Sequence, residues 1–130
     1  MALSVTELRI RNLVLYAGLY LFVSAINRHG EIRLSSLIDE IDTDCKNCEG
    51  IPLTEERLIK FGFETEWRGN GNESKIDTFS LWKGHGWDHW AFIMGGNNDD
   101  TNDFIIELEY VHQLQNLYFA LKGTELTKDL

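Results

Sequence analysis

Residues 110–126 read YVHQLQNLYFALKGTEL, and this stretch decides the fold class. Val111, Leu114, Leu117, Tyr118 and Leu121 recur three and four residues apart, which puts them on one face of a helix. The spacing predicts a helix over 111–122. Gly123 suits its end because glycine adopts the left-handed cap conformation, and Lys122 complements the negative end of the helix dipole. Immediately before it, Phe104, Ile106, Leu108 and Tyr110 alternate with Ile105, Glu107 and Glu109, the two-residue period of a strand. Strands that run straight into a terminal helix describe an α+β protein rather than an all-β one.

Working backwards, 76–82 and 87–94 read as a hairpin around Lys83-Gly84-His85-Gly86. Residues 63–68 read as a strand, Gly69-Asn70-Gly71-Asn72 as a loop and 95–103, GGNNDDTND, as a second polar loop. A short helix is expected over 55–61. Thr54 can accept a hydrogen bond from the first turn, Glu55 and Glu56 favour the positive end of the dipole, Leu53 and Leu58 form a hydrophobic staple, and Gly62 stops it. At the N-terminus, 7–16 reads as a strand with Leu8, Ile10, Val14 and Tyr16 on one face. Residues 19–26 and 31–37 follow as two more, joined by turns at Ala17-Gly18 and 27–30. Residues 38–50, IDEIDTDCKNCEG, read as an acidic connector.

The expected architecture is therefore an N-terminal SH3-like β-meander of three strands, a short bridging helix, and an antiparallel β-sheet closed by the C-terminal helix. We expect residues 1–130 to form a single compact domain, with a β-meander lobe over 1–50 and an α+β lobe over 51–130.

The formal net charge is −9. Positive charge gathers at the start, where Arg9, Arg11, Arg28 and Arg33 outnumber Glu7 and Glu31, and the remainder is strongly acidic. An acidic body repels a phosphate backbone, so nucleic acid is disfavoured as a partner. Such a surface suits a basic protein partner, or simply keeps the chain in solution. The start, MALSVTELRIRN, lacks a basic region followed by an apolar run, and the apolar run 13–23 is too short to span a bilayer. Together with only two cysteines, this points to the reducing cytoplasm and to no membrane partner.

Three blocks carry a resemblance: ELRIRNLV at 7–14, IPLTEERLIKFGFE at 51–64 and YVHQLQNLYFALKGTEL at 110–126. In order and spacing the chain resembles a family of small uncharacterised proteins encoded by phages and mobile elements of Bacteroidetes-type bacteria. That pattern has a strand opening with R-I-x-N-L-V, a P-L-T-E-E helix ending in F-G-F, and the terminal helix. The first block departs from it at Arg11, where glycine is expected. The resemblance implies a phage or mobile-element setting and assigns no catalytic or binding residue.

Cys45-Lys46-Asn47-Cys48 and His85-Gly86-Trp87-Asp88-His89 resemble the halves of two zinc patterns. The histidines, however, enter a strand, where side chains four residues apart stand roughly 13 Å from one another, so no metal is expected. Asp39, Glu40, Asp42 and Asp44, and likewise Asp99, Asp100 and Asp103, lack the glycine and terminal glutamate of a calcium loop. The run WKGHGWDHW, 82–90, is the best location for a ligand site: Trp87 could stack on a ligand, with His85 and His89 beside it and Asp88 orienting His89. Alternatively, Trp82 and Trp90 face each other across the hairpin and belong to the core, as tryptophan's usual burial favours. Gln113 and Asn116 share a helix flank and could meet a partner's polar groups, or cap backbone groups of a neighbouring sheet.

No active-site constellation or cofactor motif stands out. The functional expectation is a small acidic cytoplasmic interaction protein that binds a host or element protein, and a homo-oligomer is compatible with it. The alternative is a small-molecule or nucleotide-binding protein, conceivably an enzyme, that uses the Trp/His loop 82–90.

Overall fold

A computed structural model describes residues 3–94 and 104–126. The polar loop 95–103, with Asp99, Asp100 and Asp103, lies outside the described residues. The chain is α+β and divides into two compact units. Among the described residues, one runs to Pro52 and takes in Tyr110–Gly123; the other comprises Leu53–Glu109 and residues 124–126.

The first unit holds a four-stranded antiparallel sheet in the order β1 (Leu13–Tyr16), β2 (Leu19–Ile26), β3 (Glu31–Ser35) and β4 (Glu40–Asp44). The β1–β2 hairpin closes over the expected Ala17-Gly18 turn, with φ of 48° and 79°. Two consecutive left-handed residues give the turn whose twist matches that of paired strands. The β2–β3 turn is fixed by Asn27, whose Oδ1 accepts from the backbone of His29 at 2.8 Å and Glu31 at 3.1 Å.

β4 corrects the expected acidic connector. Its acidic residues sit at alternate positions, Glu40, Asp42 and Asp44, and the half-buried Ile41 and Thr43 lie between them. Charge at every second residue conceals an ordinary one-sided strand. On the exposed face Arg33 donates to Asp42 across the ladder at 2.7 and 3.2 Å, and this bond draws the Asp42 carboxyl below the usual carboxylate range.

A 3-10 turn at Cys45–Asn47 follows β4, capped by the Asp44 carboxylate. The chain then comes back to β1, where Leu15 and Glu49 exchange backbone hydrogen bonds of 2.9 and 2.8 Å. Leu3, Leu8, Val14, Leu21, Val23, Ile32, Leu34, Cys45 and Cys48 form the cluster enclosed by these turns.

The long first strand expected over 7–16 is also corrected. Val5–Glu7 is a 3-10 turn, extended pairing begins only at Leu13, and Ile10 is half exposed where Leu8 is buried. The interruption is Arg11, whose φ is 81°. Its N–H donates to Val23 O at 2.7 Å and its carbonyl accepts from Gln115 Nε2 at 3.4 Å, so the neighbours hold the left-handed conformation in place. A side chain there costs about 1–2 kcal/mol, while glycine adds about 0.4–1 kcal/mol of unfolded-chain entropy. Arg11→Gly should therefore raise stability by up to about 1 kcal/mol in urea denaturation, whereas the β-branched Arg11→Val should lower it.

The C-terminal helix, α2, spans Val111–Lys122 and ends as expected at Gly123, φ 74°, whose N–H donates to Phe119 O at 2.8 Å. It is grouped with the first unit and packs against β1. The buried set explains why. Val111, Leu114 and Tyr118 are buried, but so are His112 and Gln115, while Leu121 is exposed. The face that packs is therefore partly polar, and its hydrogen bonds go to the irregular backbone and side chains of 7–13 beside β1.

In the second unit α1 (Glu55–Lys60) begins as expected, with Thr54 Oγ1 accepting from Arg57 N at 3.2 Å. The antiparallel sheet follows chain order: β5 (Glu64–Trp67), β6 (Gly71–Ile76), β7 (Phe79–Gly84), β8 (Trp90–Met94) and β9 (Phe104–Leu108). The expected strand 76–82 is corrected by a two-residue turn at Asp77-Thr78, with Asp77 at φ 52°. Aspartate is among the few residues that tolerate this region. Gly71, expected in a loop, opens β6 opposite Gly84, and a Cβ on it would lie 2.5 Å from the Lys83 carbonyl oxygen.

Register also settles the tryptophans. Trp82 pairs with Ala91 and Trp90 with Leu108, so the two indoles leave opposite faces of the sheet rather than facing each other. Ser74, Phe79, Leu81, Trp90 and Leu108 are the buried face, where Phe79 stacks on Phe92 and meets Phe63 edge-on. Among the described residues, no helix is long and apolar enough to cross a membrane.

Candidate functional site

The other face of the second sheet carries the Trp/His residues. One cross-strand row runs Glu66, Glu73, Trp82, Ala91, Glu107 through all five strands. In the adjoining row Gly71 pairs with Gly84. A Cβ on Gly71 would lie 2.6 Å from the Trp82 ring, and one on Gly84 would lie 2.6 Å from the Trp87 ring. The two glycines are therefore a floor on which the two indoles lie.

Trp87 is 40% exposed and stacks on His89, with ring centroids 5.1 Å apart and planes 15° apart. His89 Nδ1 lies 3.1 Å from Asp88 and its Nε2 lies 3.8 Å from Glu107. The hydrogen bond with His89 is the main influence drawing the Asp88 carboxyl below its ordinary range. His85 stands apart from this stack and meets the exposed Trp67 edge-on at 6.2 Å. Of the four residues singled out, the structure thus joins Trp87, Asp88 and His89 and gives His85 a different partner. Glu107 and Trp82 complete the arrangement. Strand register brings them in, and local spacing in the sequence does not display it.

Gln113 and Asn116 are turned to internal work. Gln113 Oε1 accepts from the Tyr110 backbone N–H at 3.0 Å, at the start of α2. Asn116 Oδ1 accepts from Asn12 at 2.8 Å and Arg9 at 3.1 Å, and its Nδ2 donates to the Glu7 carbonyl at 3.1 Å. The Arg9 guanidinium also lies 4.4 Å over the Phe119 ring. Beside them the fully buried Gln115 accepts from Leu13 N at 2.8 Å. His112, also fully buried, places Nε2 3.1 Å from Glu7 Oε1 and stacks on Tyr110. Burial pushes its pKa down against the opposing pull of Glu7. These groups tie α2 to 7–13 and read as structural.

Cys45 and Cys48 are buried and are not joined in a disulfide. Burial first, then Cys45 and Asp44, push the Cys48 thiol up to about 11, so it stays protonated and unreactive at neutral pH. Among the described residues no three His, Cys, Asp or Glu side chains converge on a metal position.

A second surface was not anticipated. Ser36 and Asp39 close the β3–β4 turn: Ser36 N donates to Asp39 O at 2.9 Å, and Ser36 Oγ accepts from Ile38 N at 3.3 Å and Asp39 N at 3.1 Å. The turn leaves Leu37 at 104% and Ile38 at 87% exposure. Ile38 shares a groove of about 220 Å³ with Leu19, Tyr20, Leu21, Leu34 and Ile41, and Leu19 and Tyr20 are themselves more than half exposed. The available signal was an apolar pair inside a Ser-x-x-Asp turn, hidden by reading 31–37 as strand and 38 onwards as connector.

No family model, no curated protein and no solved structure matches this chain.

Proposed function

We propose that the chain is a small acidic interaction protein that binds a protein partner through the first unit. The observation carrying this reading is the exposed Leu37-Ile38 pair held at the tip of a hydrogen-bonded turn above an apolar groove. A contiguous apolar patch held outward costs solubility and is a mark of interaction sites. We read the first unit as an SH3-type barrel. The support is a four-strand meander, a 3-10 turn and the chain's return to β1 through Leu15 and Glu49. The phage or mobile-element setting rests on the resemblance of the blocks at 7–14, 51–64 and 110–126, and the cytoplasmic location on the low cysteine content.

The test is the paired substitution Leu37→Ser with Ile38→Ser. Both side chains are exposed, so the melting temperature should stay within about 2 °C. Burying each aliphatic chain in an interface is worth about 1.5–3 kcal/mol, so affinity for a co-purifying host protein, or for a second copy, should fall at least about tenfold. Undiminished binding by the folded variant overturns the reading. The second reading, a small ligand at Trp87, Asp88 and His89, is supported by the exposed ring stack. A saturable metabolite-induced quench that is lost in Trp87→Ala would favour it.

A further inference from the structure

We propose that the outer face of the second sheet is a docking site for an arginine-bearing segment of a partner protein, separate from the Leu37-Ile38 surface. Three features combine there. Trp82 sits mid-row with carboxylates on both sides, Glu66 and Glu73 on one and Glu107 on the other. Trp87, seated over Gly84, presents an exposed indole beside them. Indoles flanked by carboxylates recognise guanidinium groups by ring stacking combined with charge-assisted hydrogen bonds.

The protein already shows the carboxylate half of this chemistry with its own side chain. Glu66 and Glu73 lie directly opposite each other across the ladder, a like-charge pair that is unfavourable by itself. Arg68 relieves it, one guanidinium nitrogen lying 3.1 Å from Glu66 and 3.0 Å from Glu73. On the far side of Trp82, Glu107 has among the described residues only the 3.8 Å approach of His89. Its carboxylate is exposed on the sheet face and takes the partner's guanidinium, which lies against the exposed part of the Trp87 indole left open by Gly84 and His89. Anionic ligands are repelled by the same row. The occupant is therefore a basic peptide rather than a nucleotide or a nucleic acid, in keeping with the chain's net charge of −9.

The experiment titrates the intact chain with a short arginine-rich peptide, reading tryptophan fluorescence and heat, with a serine-glycine peptide of equal length as control. Saturable binding is expected that weakens as salt is raised. Trp87→Ala and Glu107→Gln should each weaken it roughly tenfold while the chain stays cooperatively folded, and Trp87→Phe should retain most of it. The Leu37→Ser, Ile38→Ser variant should bind the peptide as the parent does, which separates this site from the first surface. Absence of saturable binding at low salt overturns the proposal. So does equal affinity in Trp87→Ala and Glu107→Gln, which would mean diffuse charge attraction alone. Quenching by an anionic nucleotide in preference to the peptide would also overturn it.

Discussion

Gln115→Ala is expected to lower the unfolding free energy by about 3–4 kcal/mol. Gln115 is fully buried, and its side chain serves an irregular backbone that lacks a ladder partner on that side. Oε1 accepts from Leu13 N at 2.8 Å and lies 3.5 Å from Asn12 Nδ2, while Nε2 donates to Arg11 O at 3.4 Å. Removing it orphans the Leu13 N–H and the Arg11 carbonyl, at about 1–3 kcal/mol for a buried polar group left unpaired, and adds the penalty of a cavity. Gln115→Leu fills most of the volume but leaves the orphans, so it should cost less than alanine, about 2 kcal/mol. Both values are measurable by urea denaturation. An alanine cost below about 1 kcal/mol would mean that Gln115 does not hold the 9–13 segment.

That network marks the limit of what the sequence makes legible. The termini of α1 and α2 are local: Thr54, Gly62 and Gly123 each act on hydrogen bonds within a turn, and Ala17-Gly18 closes a hairpin by its own backbone. The helix face of α2 was legible only where it was apolar. His112 and Gln115 are polar residues at core positions, and their partners lie about a hundred residues away, so no periodicity announces them. β4 hid behind alternating charge, and the start of β1 behind Arg11, whose left-handed backbone leaves Ile10 exposed. In the candidate site, the local cluster Trp87, Asp88 and His89 could be read from spacing. Glu107 and Glu73 could not, because only strand register puts them in the cross-strand row of Trp82, Glu73 next to it and Glu107 beyond Ala91.

Trp90→Ala should cost about 3–5 kcal/mol, the range for removing a large aromatic from a close-packed site. Trp90 is 1% exposed, and its Nε1 makes no hydrogen bond among the described residues. Replacement by phenylalanine therefore forfeits volume but no hydrogen bond. It also removes a buried donor that has no acceptor among the described residues, so Trp90→Phe should retain most of the stability, losing only about 1–2 kcal/mol. Trp82 is the control. It leaves the opposite face, is only half-buried and packs over Gly71, so Trp82→Ala should cost well under half as much as Trp90→Ala. Were the two indoles a facing pair in one core, their alanine variants would cost alike and the double variant would cost less than the sum. On opposite faces of the sheet the single costs differ widely. Thermal and urea denaturation of these variants decide between the arrangements, and equal losses at 82 and 90 would refute the register that places Trp82 between Glu73 and Ala91.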